Sequence, residues 1–511
     1  MTASTLMVVG SMSSVGKSVL VAALCRLLAR EGLSVAPFKA QNMSNNAAVC
    51  PGGGEIGRAQ ALQALACGIP PSVDHNPVLL KPEADARAQV IVRGRPWGVV
   101  PARSYYEVRA TLWTEITASL DRLRGAHDVV VIEGAGGAAE LNLMTGDIVN
   151  LAVARYAGAP VLLAGDIDRG GVFAQLLGTL WLLPDADRAL VRGLVVNRFR
   201  GDPDLFADGV AILEERSGLP VVGVVPFVPG LNLPEEDAAA LDQAASPGPA
   251  RDGAGAGRRA TRIAVVAPPR ISNFDDMDAL RAEPGVRVGF VRSADELGEP
   301  DAIVLPGSKS TVSDLAWLRE TGLAEAVQAF AARGGAVAGL CGGYQMLGRS
   351  IADPEHVESR LDEVEGLGLL PCRTVFGDAK TTERVGAEVL GGPGWLAGLE
   401  GASVGGYEIH AGATESEAPW LRLDRGDGRG PVVPDGSASA DGRVWGCYVH
   451  GVFDSARLRR AWLASLGWEA PAGAEPETVE RSLDRLADVV GDALDMGFVR
   501  GLLREGREDA A

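Results

Sequence analysis

Two short constellations in the 511-residue chain have the residue types and spacing to do chemistry, and each suits a different reaction. The first is Gly10-Ser-Met-Ser13-Ser-Val15-Gly16-Lys17-Ser18. A glycine-bounded loop of this kind turns backbone N–H groups inward onto phosphate, brings a lysine to the β and γ phosphates and offers a hydroxyl to Mg2+. The second is Gly339-Leu-Cys341-Gly342-Gly, a cysteine among glycines in the setting of a thiolate nucleophile. A nucleophile needs a proton carrier. Of the five histidines, His75, His127, His356, His410 and His450, the best placed is His450 in Tyr-Val-His-Gly, and His410 in Tyr-Glu-Ile-His-Ala-Gly is second.

Each group has an element to position it. Leu6-Met-Val-Val runs as a strand into the first loop, and Val19, Leu20, Ala23, Leu24, Leu27 and Leu28 recur at helical spacing behind Ser18. The loop therefore lies between a strand and the positive end of a helix. Ser11 stands where the common pattern has its first glycine, with Gly10 one residue earlier. In the second half, residues 301–305 form an apolar strand ending in Pro306-Gly307-Ser308, and residues 335–340 form another ending at Cys341. A cysteine there occupies a sharp strand-to-helix elbow, and Gly307 and Gly342 are positioned to offer backbone N–H groups to an oxyanion. Cys25, Cys67, Cys372 and Cys447 read as small core residues.

Five further apolar stretches, residues 34–38, 128–132, 161–164, 194–196 and 220–225, each deliver polar or glycine-rich residues at their ends. This is the organisation of a parallel α/β sheet whose ligands lie beyond the carboxyl ends of its strands. Glu133 is so placed, as a carboxylate for Mg2+. Lys39 and Asn42 suit phosphate or carboxylate recognition, an Asn-rich turn being the alternative for the amides. Glu55 either caps the helical pattern that follows it or holds a metal. Residues 240–260 are rich in Gly, Ala and Pro and read as a linker. They divide a first domain, 1–239, from a second, 261–468, and the tail 469–511 carries an amphipathic pattern from Val479 to Val490 that reads as a packing helix.

The composition, 47% hydrophobic and 22% charged, is that of a globular protein with room for several cores. With 48 Lys+Arg against 66 Asp+Glu, the net charge of −18 argues against nucleic acid or an anionic membrane as the main partner. The six cysteines form no C-x-x-C pair, and neither a signal peptide nor a spanning helix is indicated, so a cytoplasmic protein is expected. A homo-oligomer is compatible with the sequence.

The loop from Gly10 to Ser18, Phe-Lys39, Glu133-Gly-Ala-Gly-Gly and Val-Asn197-Arg resemble the P-loop amidoligase branch that includes dethiobiotin synthetase and the cobyrinic and cobyric acid synthases. The resemblance implies that Glu133 and Glu55 assist Mg2+, that Asn197 meets the adenine edge, and that a carboxylate phosphorylated by ATP is attacked by an amine. Residues 261 to about 460 resemble a class I glutamine amidotransferase domain, in which Cys attacks the glutamine side-chain amide and ammonia leaves. His410 is then a candidate on the glutamine side. The usual pattern has Glu two residues after the His; here that position is Val452, as in the cobyrinic and cobyric acid synthases, and Glu408 is offered as the acid that orients His450.

Together with Gly165-Asp166-Ile-Asp168-Arg169-Gly-Gly and Lys39-Ala-Gln-Asn42-Met-Ser-Asn-Asn, these motifs most closely resemble the cobyric acid synthase family, over nearly the whole chain. That implies amidation of the b, d, e and g carboxylates of adenosylcobyrinic acid a,c-diamide, with ATP and Mg2+, and with L-glutamine as nitrogen donor. It also implies a corrin carboxylate and phosphate site at Asp166, Asp168 and Arg169, loop capping by the two acids being the alternative. Three other readings are a cobyrinic acid a,c-diamide synthase, a glutamine-dependent ligase of cell-wall precursors, and a partition-type regulatory ATPase with an inert second domain. The last carries an additional Lys early in its phosphate loop, and no Lys lies between Gly10 and Val15.

Overall fold

The strand Ser4–Gly10 (β1) is buried along its whole length, with Leu6 and Val8 in one apolar cluster and Met7 and Val9 in another, as a strand covered on both faces requires. In the computed structural model of the chain it lies inside a six-stranded parallel sheet with Val35–Phe38 (β2), Val129–Glu133 (β3), Val161–Asp166 (β4), Val191–Phe199 (β5) and Val221–Pro226 (β6), in the order β6-β5-β4-β1-β3-β2. The carboxyl end of β1 thus falls between those of β3 and β4, and the loop after Gly10 opens between Glu133 and Asp166. Lys17–Arg30 (α1) starts at Gly16 and buries Leu20, Val21, Leu24 and Leu28 against this sheet. Arg58–Ala66 (α2) follows a short strand, Glu55–Gly57; its N-cap is Gly57, so Glu55 is not the cap. A small sheet of Gln41–Met43, Val78–Pro82, Arg87–Val92 and Arg95–Pro101 stands beside it.

The structure describes residues 2–83, 87–144, 146–234, 259–425, 432–471 and 476–508. The expected linker lies outside them, save for residues 259 and 260.

The second half repeats the layered logic. Thr261–Val266 (β7), Val286–Val291 (β8), Ala302–Leu305 (β9), Ala336–Leu340 (β10) and Val444–Cys447 run parallel in the order β8-β7-β9-β10 and then Val444–Cys447, with Ser437–Ala438 antiparallel at the edge. Gly342–Leu347 (α3) leaves the end of β10. A long antiparallel pair, Cys372–Val389 (β11) with Ser403–Ser416 (β12), folds over the carboxyl edge of this sheet and carries residues 407–411 to the site.

The helices of the tail pack on the first half. Val479–Ala493 (α4) and Met496–Glu508 (α5) return to the first sheet, where Leu483, Leu486, Val490, Val499 and Leu502 share a cluster with Leu6, Val8, Leu24 and Leu28. Arg26 and Arg30 of α1 tie the outer face of α4 through Glu480, Asp484 and Asp488. Among the described residues no helix is long and apolar enough to cross a membrane.

Candidate active sites

Around the first loop the expected groups converge. Gly16 takes φ +91°, and a Cβ there would stand 2.4 Å from Asn197 Nδ2, so the turn needs glycine. Asn197, near the end of β5, donates its amide to the Val15 carbonyl (2.7 Å) and braces the loop. Lys17 is buried and donates to the carbonyls of Gly136 (2.9 Å) and Met12 (3.3 Å), while Ser13 faces Gly136. Glu133 Oε1 accepts from Ser18 Oγ (2.8 Å) and Lys39 Nζ (2.9 Å), and its Oε2 accepts from Gln63 (2.5 Å) and Gln60 (3.5 Å) of α2. Asn42 lies one step behind, donating to Gln60 Oε1. Burial pushes the Glu133 carboxyl up, but Lys39 and the hydrogen bonds of Lys39, Gln63 and Ser18 outweigh it and hold it below the usual range. A carboxylate beside the loop hydroxyl is a hard-oxygen pair that fits Mg2+.

Glu55 is not brought to this place. It is fully buried with Lys81 on one oxygen and Lys380 on the other, and these cations hold its carboxyl down to about 2 against the opposing effect of burial. A carboxylate with an ammonium on each oxygen does not fit a metal ligand, and its role is a buried ion-pair node. Asp166, fully buried, caps its own loop by accepting the Asp168 N–H (2.9 Å) and pairs with Arg198 (3.0 Å) and Arg169 (3.4 Å). Asp168 pairs with Arg200 at the surface, and Arg169 stays largely exposed beside the loop.

The second site centres on Cys341, whose φ of +50° and ψ of −110° place it in a backbone region that non-glycine residues rarely adopt. Its N–H donates to the Cys447 carbonyl, and its sulfur lies 3.5 Å from the Ile409 carbonyl of β12. His450 follows Val444–Cys447 by three residues, lies close enough to the Cys341 sulfur to feel its charge, and meets Asp276 Oδ2 with its Nδ1 at 2.8 Å. Asp276 Oδ1 accepts the Gly451 N–H (2.7 Å), which fixes the carboxylate, and Tyr407 stacks on the imidazole at 5.2 Å. Burial depresses the His450 pKa, but the Asp276 carboxylate and the Cys341 sulfur outweigh burial and raise it to about 10. Nucleophile, proton carrier and orienting acid are therefore in series, all buried.

The acid on His450 is Asp276, not Glu408, which pairs with His410 (3.1 Å) and Arg425 (2.7 Å). Residues 408 and 410 are two apart on β12 and so share a face. His410 is held by Glu408, by the Gly412 carbonyl and by a 3.7 Å stack on Tyr448, so both of its ring nitrogens are already engaged. Gly307 lies against the imidazole, where a Cβ would come within 3.2 Å of His450 Cε1, and Gly342 packs on the Ser308 backbone.

The two halves meet beside these sites. Arg58 pairs with Asp275 (2.7 Å), Asn273 donates to the Ala47 carbonyl (2.9 Å), Lys309 pairs with Glu83, and Ile409 joins Ala47, Val49, Leu79 and Ile91 in one apolar cluster. A cleft bordered by Ala48, Val49, Arg58, Tyr407, His450 and Asp454 opens between them.

Comparison with known proteins agrees with this two-part plan. Residues 6–239 match the family described as the CobQ/CobB/MinD/ParA nucleotide binding domain, and residues 262–458 match the CobB/CobQ-like glutamine amidotransferase domain. The chain is 51% identical to the cobyric acid synthase of Chloroflexus aurantiacus, covering 99% of this chain and 100% of that one. It is 49% identical to that of Roseiflexus castenholzii (99% and 100% covered) and 50% identical to that of Sorangium cellulosum (98% of each). On this full-length similarity through both halves, the chain belongs to the cobyric acid synthase family.

Proposed function

We propose that the chain forms amides on a corrin: it activates the b, d, e and g carboxylates of adenosylcobyrinic acid a,c-diamide with ATP and supplies ammonia from glutamine. The observation that carries this reading is the pairing of a phosphate-loop site, Lys17, Ser18, Lys39 and Glu133, with a Cys341–His450–Asp276 series in one chain of this family. Residues 1–239 are assigned the ligase reaction and 261–468 the release of ammonia, with α4 and α5 of the tail completing the first layer.

In the second half the Cys341 thiolate attacks the side-chain carbonyl carbon of glutamine. Backbone N–H groups at Gly307 and Gly342 receive the oxyanion. His450, held by Asp276, gives its proton to the departing nitrogen, which leaves as ammonia; it then takes a proton from the water that hydrolyses the thioester to glutamate. In the first half Gly10, Ser13, Val15, Gly16, Lys17, Ser18 and Asn197 form the ATP site. A corrin carboxylate oxygen attacks the γ phosphorus, ADP leaves, ammonia attacks the acyl phosphate carbon, and phosphate leaves. Lys39, Asn42 and Arg169 are assigned to the substrate and the transferring phosphoryl group. Ser18 and Glu133 would hold a magnesium ion, whose chemistry is to neutralise charge on the phosphates. Ammonia is mostly protonated in neutral water, so its production beside the acyl phosphate keeps it nucleophilic and concentrated.

Nitrogen-source dependence tests the division of labour. Cys341→Ala should lose amidation with glutamine and keep it with added ammonium, whereas Lys17→Ala should lose both. Equal loss in the two variants with both sources would refute the assignment.

A further inference from the structure

Outside the two sites, one element touches both. Gln60 and Gln63 of α2 donate to Glu133, and Gln63 also reaches the Ser18 carbonyl (3.3 Å). At the start of the same helix Arg58 crosses to the second half and pairs with Asp275 at 2.7 Å. Asp275 adjoins Asp276, the acid on His450, in the single turn Phe274–Met277. Asp275 is buried, and its Oδ1 has no hydrogen-bond partner among the described residues, so the guanidinium on Oδ2 is what balances this carboxylate. The turn is entered through Asn273 at φ +50°, whose amide bonds both the Ala47 carbonyl of the first half and the Tyr407 hydroxyl, and Tyr407 stacks on His450. The imidazole is thus held on two sides by groups one step removed from the nucleotide half: Asp276 through its neighbour Asp275 to Arg58, and Tyr407 through Asn273 to the Ala47 carbonyl. Arg58, Gln60 and Gln63 lie on one hydrogen-bonded helix of nine residues, a continuous path along which a displacement at Glu133 can reach Arg58.

We infer that Arg58 is a positioning residue for glutamine hydrolysis: through the Arg58–Asp275 pair, occupation of the nucleotide site at Glu133 sets the alignment of Asp276 on His450. The inference rests on the amidotransferase reading above and goes beyond it by naming the connection between the sites. A coupling of the size common between protein sites, about 5- to 150-fold, is what such a connection has to supply.

The test measures glutamate release by the full-length protein with and without ATP and Mg2+, beside amidation driven by ammonium. Wild type should hydrolyse glutamine about 5-fold faster or more when ATP is present, the change lying in kcat. In Arg58→Ala that ratio should fall to within about 2-fold of one, while ammonium-driven amidation stays within about 2-fold of wild type. Arg58→Lys, which restores the charge without the planar fork, should recover part of the ratio. Should Arg58→Ala fail to fold, Asp275→Asn, which removes the charge at constant size, reads the same ratio. A wild-type ratio of one, or a wild-type ratio retained in both variants, overturns the inference. So does equal loss of ammonium-driven amidation, because Arg58 would then serve the nucleotide site itself. Failure of the underlying reading looks different: Cys341→Ala would still release glutamate.

Discussion

Replacing Asp276 by Asn probes the part of the second site that depends most on distant residues. In the wild-type site Asp276 takes the His450 Nδ1–H at 2.8 Å and the Gly451 N–H at 2.7 Å, with both groups buried. Asparagine has one acceptor oxygen, so one of these contacts is lost, or its NH2 faces Nδ1 and forces the proton onto the nitrogen that must serve Cys341. Removing one partner of a buried charge pair costs about 3–5 kcal/mol. Independently of that stability cost, losing a correctly positioned general acid–base is worth roughly 10²- to 10⁴-fold, which is the loss expected in glutamine hydrolysis. The perturbation is also directional in pH. With the carboxylate gone, its upward pull is lost and the His450 pKa falls from about 10, so less of the imidazole is protonated as pH rises. The assay is glutamate release without ATP, paired with ammonium-driven amidation in the same preparation. The second should stay within about 2-fold of wild type, because a fold that survives leaves the nucleotide site intact. A variant with less than about 5-fold loss of glutamate release would refute the role given to Asp276.

Other outcomes follow from the same geometry. Gly307→Ala would put a Cβ 3.2 Å from His450 Cε1 and 2.9 Å from the Ser272 carbonyl. An overpacking cost of about 1–3 kcal/mol should appear as slower glutamine hydrolysis with ammonium use retained, checked by the two-source assay. Glu55 has a folded-state pKa of about 2, below its unfolded value, so its stabilisation is complete above about pH 4.5 and is lost as pH falls toward 2. Lys380→Met removes one of its two cations and should lower stability at pH 7 by about 1.5–3 kcal/mol, with acid unfolding beginning at higher pH in a denaturation series. Leu483→Ala, in the cluster that α4 makes with α1 and β1, should cost about 2–5 kcal/mol and lower the melting temperature of the nucleotide half before that of the other.

What was legible in the sequence was local. The Gly10 to Ser18 loop, the carboxyl-end Glu133 and the Cys341 elbow each depend on a few contiguous residues between a strand and a helix, and short-range pattern reading reaches them. Asp276 lies 174 residues before His450 in an aperiodic turn, so nothing in its neighbours announced it. Glu55 was misread for the same reason: an acid after three glycines looks available to a metal, but one of its lysines is 325 residues away. The Glu408 assignment had a local remedy, since period-two alternation puts it on one face with His410 and directs the two toward each other. The tail pattern from Val479 to Val490 marked a packing helix correctly as a stripe, while the sheet it covers could not be read from it, because the cluster is completed by residues at the opposite end of the chain.

The central claim is the product. Mass spectrometry of the corrinoid after incubation with ATP, Mg2+ and glutamine, with cobyrinic acid and its a,c-diamide in separate reactions, tests it most directly. Four amides added to the a,c-diamide are expected. Two amides added to cobyrinic acid with the diamide left untouched would contradict the account and assign the reaction to the a,c-diamide synthase.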